Sequence, residues 1–147
     1  MDLPTELARV VVPVGGGGLV AGTILAAGAC RVVGVEPFGA ATLDAALKAG
    51  APETLAKIES VAADALGAGR VGVWPFALCR ERLDRVEMVD DGAILDAQRW
   101  FWTHLRLAVE PWAAAGLAAL AHGAFDRDTG AIGLVVSGGN MDLRTLV

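Results

Sequence analysis

Two cysteines, two histidines and two lysines are all that 147 residues hold of the side chains behind most metal, redox and covalent chemistry. Cys30 and Cys79 lie in apolar settings with no second ligand at a metal-site spacing. Neither a zinc site nor a disulfide framework is expected, and both read as reduced core thiols of a cytoplasmic protein. His104 and His122 each stand alone in an alanine- and leucine-rich stretch, which suits a core or surface histidine better than a catalytic one. Basic side chains are scarce: 12 Lys and Arg against 17 Asp and Glu give a net charge of −5. With no basic cluster, a nucleic-acid partner is not expected. Arg80, Arg82 and Arg85 alternate with Glu81 and Asp84, as on a solvated helix face. No apolar run approaches the ~20 residues of a membrane span, so no membrane partner is expected. No basic segment followed by an apolar stretch marks the start as a secretion signal.

What the sequence has in excess is small and apolar. Hydrophobic residues make up 54%, the mean hydropathy is +0.52, and much of the surplus is alanine, which lets helices pack closely on a sheet. The length suits one domain, residues 1–147, with a sizeable core. Strand signals fall at Val10–Val14, Arg31–Glu36, Val86–Val89 and Ile132–Val136. Helical patterns lie between them at Leu19–Ala29, Ala40–Ala49, Val71–Asp84, Ala93–Leu107 and Ala113–Phe125. Such alternation over short connections predicts an α/β fold, a doubly wound, mostly parallel sheet with flanking helices. Asp90-Asp91-Gly92 marks a helix start, and Glu110-Pro111 separates two helices. A sheet of about four strands leaves an edge bare, so this domain is expected to be part of a larger fold.

The first strand, Val10-Val11-Val12-Pro13-Val14, runs straight into Gly15-Gly16-Gly17-Gly18-Leu19. Four glycines remove every Cβ from the turn, so successive N–H groups can converge on one anion while the next helix points its positive end at the same spot. A flexible linker would be polar, whereas this loop is flanked by β-branched and aliphatic residues. A phosphate cradle is therefore expected. Gly16-Gly17-Gly18-Leu19-Val20-Ala21 also satisfies the dinucleotide pattern G-x-G-x-x-G/A, with Glu36 near the offset of a ribose-binding acid. No Gly-Lys-Ser/Thr follows, which excludes a P-loop. The local pattern leaves a nucleotide and a single-phosphate cofactor both open.

The last strand repeats the logic. Ile132-Gly133-Leu134-Val135-Val136 delivers Ser137-Gly138-Gly139-Asn140 at its carboxyl end, where open α/β sheets bind ligands. Taken in order, VVPVGGGGLVAG, VVGVEP, SVAADALGA, AVEPWAAAGLAAL and VVSGGNMDL strongly resemble the carboxyl-terminal half of fold-type II pyridoxal-phosphate enzymes. The nearest group is the serine/threonine dehydratases and serine racemases. The resemblance spans nearly the whole chain, and it decides the phosphate question for pyridoxal 5'-phosphate and against a dinucleotide.

It implies roles position by position. Gly15, Gly16, Gly17, Gly18 and Leu19 match the loop that holds the cofactor phosphate, and Ser137 matches the serine facing the pyridine nitrogen. A neutral hydroxyl there supports a protonated ring less than a carboxylate would, which suits elimination. Gly138 would let the backbone approach the ring, as would Gly139, and Glu110 matches a glutamate near the cofactor. Departures accompany these matches. Relatives with a divalent-cation site place an acid, a carbonyl and a second acid where this chain has Glu36, Ala40 and Thr42. A threonine replaces a carboxylate poorly on a hard cation, so no metal is expected. Trp112 stands where small or hydroxylated residues are usual, and Asp64-Ala65 stands for the family's Asp-Gly. The family's Schiff-base lysine has no counterpart, because Lys48 and Lys57 read as exposed charges away from either glycine loop. A covalent amine must be buried and positioned. The expectation is thus an enzyme that removes water and ammonia from threonine or serine, to which this chain brings the phosphate loop and ring contact. Its partners would be the amino-acid substrate, a missing amino-terminal half or complementary chain, and further copies in a homo-oligomer.

Overall fold

A computed structural model describes residues 7–63 and 68–145. Four strands, β1 (Leu7–Pro13), β2 (Arg31–Pro37), β3 (Arg85–Val89) and β4 (Ala131–Leu134), form one sheet in the order β3-β2-β1-β4. Every neighbouring pair is parallel. Parallel strands are buried on both faces, and alternate residues of β1 serve opposite sides. Val10 and Val12 pack with Val32 under α1 (Gly18–Ala26), α2 (Thr42–Ala49) and α3 (Val73–Arg82). Val11 packs with Val33 and Val35 under α4 (Asp91–Trp100) and α5 (Ala115–Ala121). The sheet is therefore doubly wound, as the alternation of elements predicts.

The order places a topological switch between β1 and β4. From β1 the chain moves outward through β2 to β3, then returns to add β4 on the other side. Connections leave on opposite sides at such a point, which opens a crevice beyond the carboxyl ends of the two strands. Both glycine-containing turns lie at those ends.

Several elements differ from the sequence expectation, each for a local reason. The helix expected over Ala93–Leu107 stops at Trp100 and continues as a π-turn, Phe101–Leu105. The wider turn keeps Phe101 in the core while His104 faces outward and stacks on Trp100 at 4.7 Å. Arg106 closes it in the left-handed region, φ 56. The helix expected over Ala113–Phe125 opens as a 3-10 turn, Pro111–Ala114, and ends at Ala121 because Gly123 takes φ 79. The stretch expected over Val71–Asp84 is helical only from Val73 to Arg82.

Arg85 and Asp84 do not lie on a solvated helix face. They join Arg9 and Asp128 in an ion-pair network at the amino-terminal ends of the strands, with Arg9–Asp128 at 3.0 Å and Arg85–Asp128 at 2.7 Å. Cys79 is a core thiol, pushed up to about 11 by burial and then by the Glu36 charge. Cys30 is only half-buried at the start of β2, and burial again raises its thiol.

Candidate functional site

The chain leaves β1 at Pro13, and the Val14 amide donates to the Val35 carbonyl at 2.9 Å, extending the parallel register one residue into the loop. Gly17 then adopts φ 86, the left-handed region, and starts α1. A Cβ there would lie 2.7 Å from Pro75 Cβ and 2.8 Å from Val71 Cγ2, so both conformation and space require glycine. The next three residues, Gly18, Leu19 and Val20, have backbone N–H groups without intrahelical acceptors, as at any helix start. No acidic side chain sits in that first turn to compete for them.

The loop carbonyls are tied to the protein. Thr42 Oγ1 donates to the Gly15 carbonyl at 2.8 Å, and the Gly72 amide donates to the Gly16 carbonyl at 3.0 Å. No peptide bond among the described residues is cis, so each N–H points opposite to the carbonyl of its own peptide unit. Anchoring the carbonyls of Gly15 and Gly16 therefore aims the N–H groups of Gly16 and Gly17 away from the anchors. A cavity of about 310 Å³ opens here, walled by Gly15 through Val20, Ala68 and Trp112.

At the end of β4 the Val135 amide still bonds to the Val11 carbonyl at 2.9 Å before the chain turns. The Ser137 hydroxyl that follows is buried without a hydrogen-bond partner among the described residues. A buried hydroxyl costs stability unless it is paired, so Ser137 Oγ keeps hydrogen-bonding capacity that none of the described residues uses. Gly138 takes φ 120, and a Cβ there would lie 2.9 Å from the Trp112 ring and 3.2 Å from Glu110 Oε1. Glu110 holds the turn from below. Its amide donates to the Gly138 carbonyl at 3.0 Å, and its carboxylate accepts from the Asn140 amide (2.9 Å) and from Trp112 Nε1 (3.0 Å). Trp112 also borders a second cavity of about 320 Å³, formed with Val61, Ala62, Glu110, Pro111 and Met141. The indole thus connects the glycine loop to the Ser137–Asn140 turn, and the two sequence-predicted halves of the site meet across it.

Other candidates fall elsewhere. Glu36, the ribose acid of the nucleotide alternative, is fully buried and caps α2. His104 and His122 are exposed on turns. Lys48 pairs with Asp44 at 2.7 Å, Lys57 pairs with Glu59, and both lysines are about three-quarters exposed, at 75% and 72%. Asp64-Ala65 lies outside the described residues. Sequence reasoning missed Gly72 as an anchor and read Thr42 only as a failed cation ligand. The sequence carried no signal for the Thr42 contact, because only the parallel register Pro13–Val35 brings the residues after β2 beside the glycine loop.

A parallel sheet with glycine turns at both strand ends of its switch point, one of them carrying a hydroxyl without a partner among the described residues, has the architecture of fold-type II pyridoxal-phosphate enzymes. Among solved structures it matches maize serine racemase with a TM-score of 0.86 at 37% identity, covering 96% of this chain and 45% of that one. The threonine deaminase of T.th. matches with a TM-score of 0.83 at 37% identity, over 92% of this chain and 47% of that one. Phenylserine dehydratase of Ralstonia pickettii is 37% identical over 144 residues, 95% of this chain and 44% of the relative. The model of the pyridoxal-phosphate dependent enzyme family matches residues 1–138, and the chain belongs to that family. The chain spans less than half the length of each of these relatives.

Proposed function

We propose that this chain forms the phosphate loop and ring-nitrogen contact of a pyridoxal-phosphate dependent lyase that dehydrates and deaminates a hydroxy-amino acid of the threonine or serine type. The observation that carries the reading is the buried Ser137 hydroxyl, without a partner among the described residues, just beyond the end of β4, the strand beside β1 and its glycine loop. Gly16 to Leu19 would hold the cofactor phosphate through backbone N–H groups, and Ser137 would meet the pyridine nitrogen. When bound, pyridoxal phosphate supplies an electron sink for loss of a proton and a β-hydroxyl. Glu110, with both oxygens accepting, fixes the turn that carries Ser137 and Gly138. Trp112 walls the space between the two ends and limits what fits beside the ring. The phenylserine and threonine dehydratase relatives support dehydration as the reaction, and serine racemases of equal identity make racemisation the second reading. The exposed, ion-paired Lys48 and Lys57 suit no covalent role, so that amine belongs to sequence beyond this chain.

The test separates ring from phosphate. Ser137→Ala should weaken pyridoxal phosphate binding to this chain about tenfold, the loss of one hydrogen bond, and leave inorganic phosphate binding unchanged. Equal binding of both ligands by variant and parent would remove Ser137 from the site. With threonine, serine and added cofactor the chain alone should show no turnover. Turnover abolished by Lys48→Ala or Lys57→Ala would overturn the assignment of the amine.

A further inference from the structure

Glu36 is the one fully buried acid among the described residues, at 0% exposure, and it lies beside the glycine loop rather than in it. Its Oε1 accepts from the Leu43 amide at 2.8 Å and lies 3.1 Å from Thr42 Oγ1, while Oε2 accepts from the Asp44 amide at 2.8 Å. A carboxylate from the end of β2 thus caps the first turn of α2, where the helix dipole favours negative charge. Thr42, itself 1% exposed, spends its hydroxyl on the Gly15 carbonyl at 2.8 Å.

These contacts do not fit a divalent cation. Magnesium or calcium needs about six or more oxygen ligands, with carboxylates free to face it. Glu36 faces N–H donors instead, and Asp44 is paired with Lys48 at 2.7 Å.

We propose that Thr42, backed by Glu36, is a cation-free strut that positions the phosphate loop by gripping the Gly15 carbonyl. The geometry is direct. In a trans peptide the Gly15 carbonyl and the Gly16 N–H point in opposite directions, so the grip on one orients the other. Glu36 fixes Thr42 from behind through the first turn of α2, and the strut thereby ties β2 and α2 to the loop that follows β1. Thr42 is a positioning residue, touching no ligand itself. The link to catalysis rests on the reading of the glycine loop as the cofactor phosphate site, whereas the strut is visible without any ligand.

The experiment is NMR on the labelled full chain. In the parent, a slowly exchanging Thr42 hydroxyl proton should show a through-space contact to Gly16. Thr42→Val, close to isosteric, should move the Gly15 carbonyl and Gly16 amide resonances, while Val11 and Val33 report an intact sheet. Thr42→Ser should restore both toward the parent positions, which a volume effect would not do. Inorganic phosphate should shift the Gly16–Leu19 amides, with a dissociation constant about tenfold higher in Thr42→Val and within about threefold of the parent in Thr42→Ser. Millimolar magnesium or calcium, and EDTA, should leave the Gly15 and Glu36 resonances in place. The proposal is overturned by a freely exchanging Thr42 hydroxyl, by Thr42→Ser shifts as large as those of Thr42→Val, or by a saturable divalent-ion shift at Glu36. Should Thr42→Val fail to fold, the hydroxyl and divalent-ion measurements on the parent still decide. A loop that responds to Thr42 but never to phosphate would sink the cradle reading and leave the strut standing.

Discussion

Gly17 and Gly18 are adjacent and chemically identical, yet the structure asks different things of them. Gly17 sits at φ 86 with Pro75 and Val71 under 3 Å from where a Cβ would fall. A side chain there must move both neighbours and adopt a left-handed backbone, at a cost of about 1–3 kcal/mol. Gly18 has ordinary φ and open space around its Cβ position. Gly18→Ala should therefore leave chemical-denaturation stability within about 0.5 kcal/mol of the parent or slightly above it. Gly18 nevertheless lines the cavity beyond β1. Phosphate binding, measured by calorimetry, should weaken in Gly18→Ala without loss of fold, and in Gly17→Val together with it. Unchanged phosphate affinity in Gly18→Ala would place the anion elsewhere. Residue identity was legible in the sequence wherever backbone sterics alone dictate it, as in the four glycines after a β-branched strand. The roles of Thr42 and Glu36 were not, because they depend on which strand lies beside which and in what register.

At the scale of the element, Glu36 makes the junction of β2 and α2 sensitive to pH. Burial pushes its carboxyl up from 4.5 to about 7; the Leu43 and Asp44 amides oppose this, and the charge of Asp44 adds to it. A group that holds its proton more tightly when folded stabilises the fold at low pH, and that contribution is lost as pH rises from 4.5 to about 7. Above about pH 7 it is constant. The full span is on the order of 3 kcal/mol. Asp128 and Asp142 shift the other way, held low first by Arg85 and Arg144, so their contribution is lost below the ordinary carboxylate range and outside this window. Urea denaturation at about pH 5, 6, 7 and 8 should show parent stability falling relative to Glu36→Gln up to about pH 7, then running parallel to it. Parallel curves throughout would mean that Glu36 is ionised in the fold even at the acid end. The elements themselves were largely legible, since strands announce themselves by β-branched runs and helices by alanine-rich periodicity. The π-turn after Trp100 was not, because continuing a helix and widening it require the same local residues.

Across the whole molecule, the two ends of the sheet do different work. The amino-terminal ends are locked by charge, with Arg9, Asp84, Arg85 and Asp128 brought together from three distant stretches of sequence. The carboxyl-terminal ends hold the glycine turns, the cavities and the unpaired hydroxyl. That division ties the framework at one end by ion pairs and, among the described residues, leaves the Ser137 hydroxyl without a partner at the other. It also leaves β4 paired only with β1 among the described residues, an open edge of the sheet. The curated relatives are more than twice as long as the matched region. Co-expression with the portion of the phenylserine dehydratase relative that this chain does not match should therefore yield a complex that co-purifies, covers that edge and turns over a hydroxy-amino acid. Because the ring contact would come from this chain, Ser137→Ala should cost the assembled enzyme roughly tenfold in turnover without dissolving the complex. Co-purification without turnover would identify this chain as a binding module. No co-purification with this relative would mean that the complementary surface must come from elsewhere, and a racemised product in place of a 2-oxo acid would reassign the reaction while leaving the cofactor site intact.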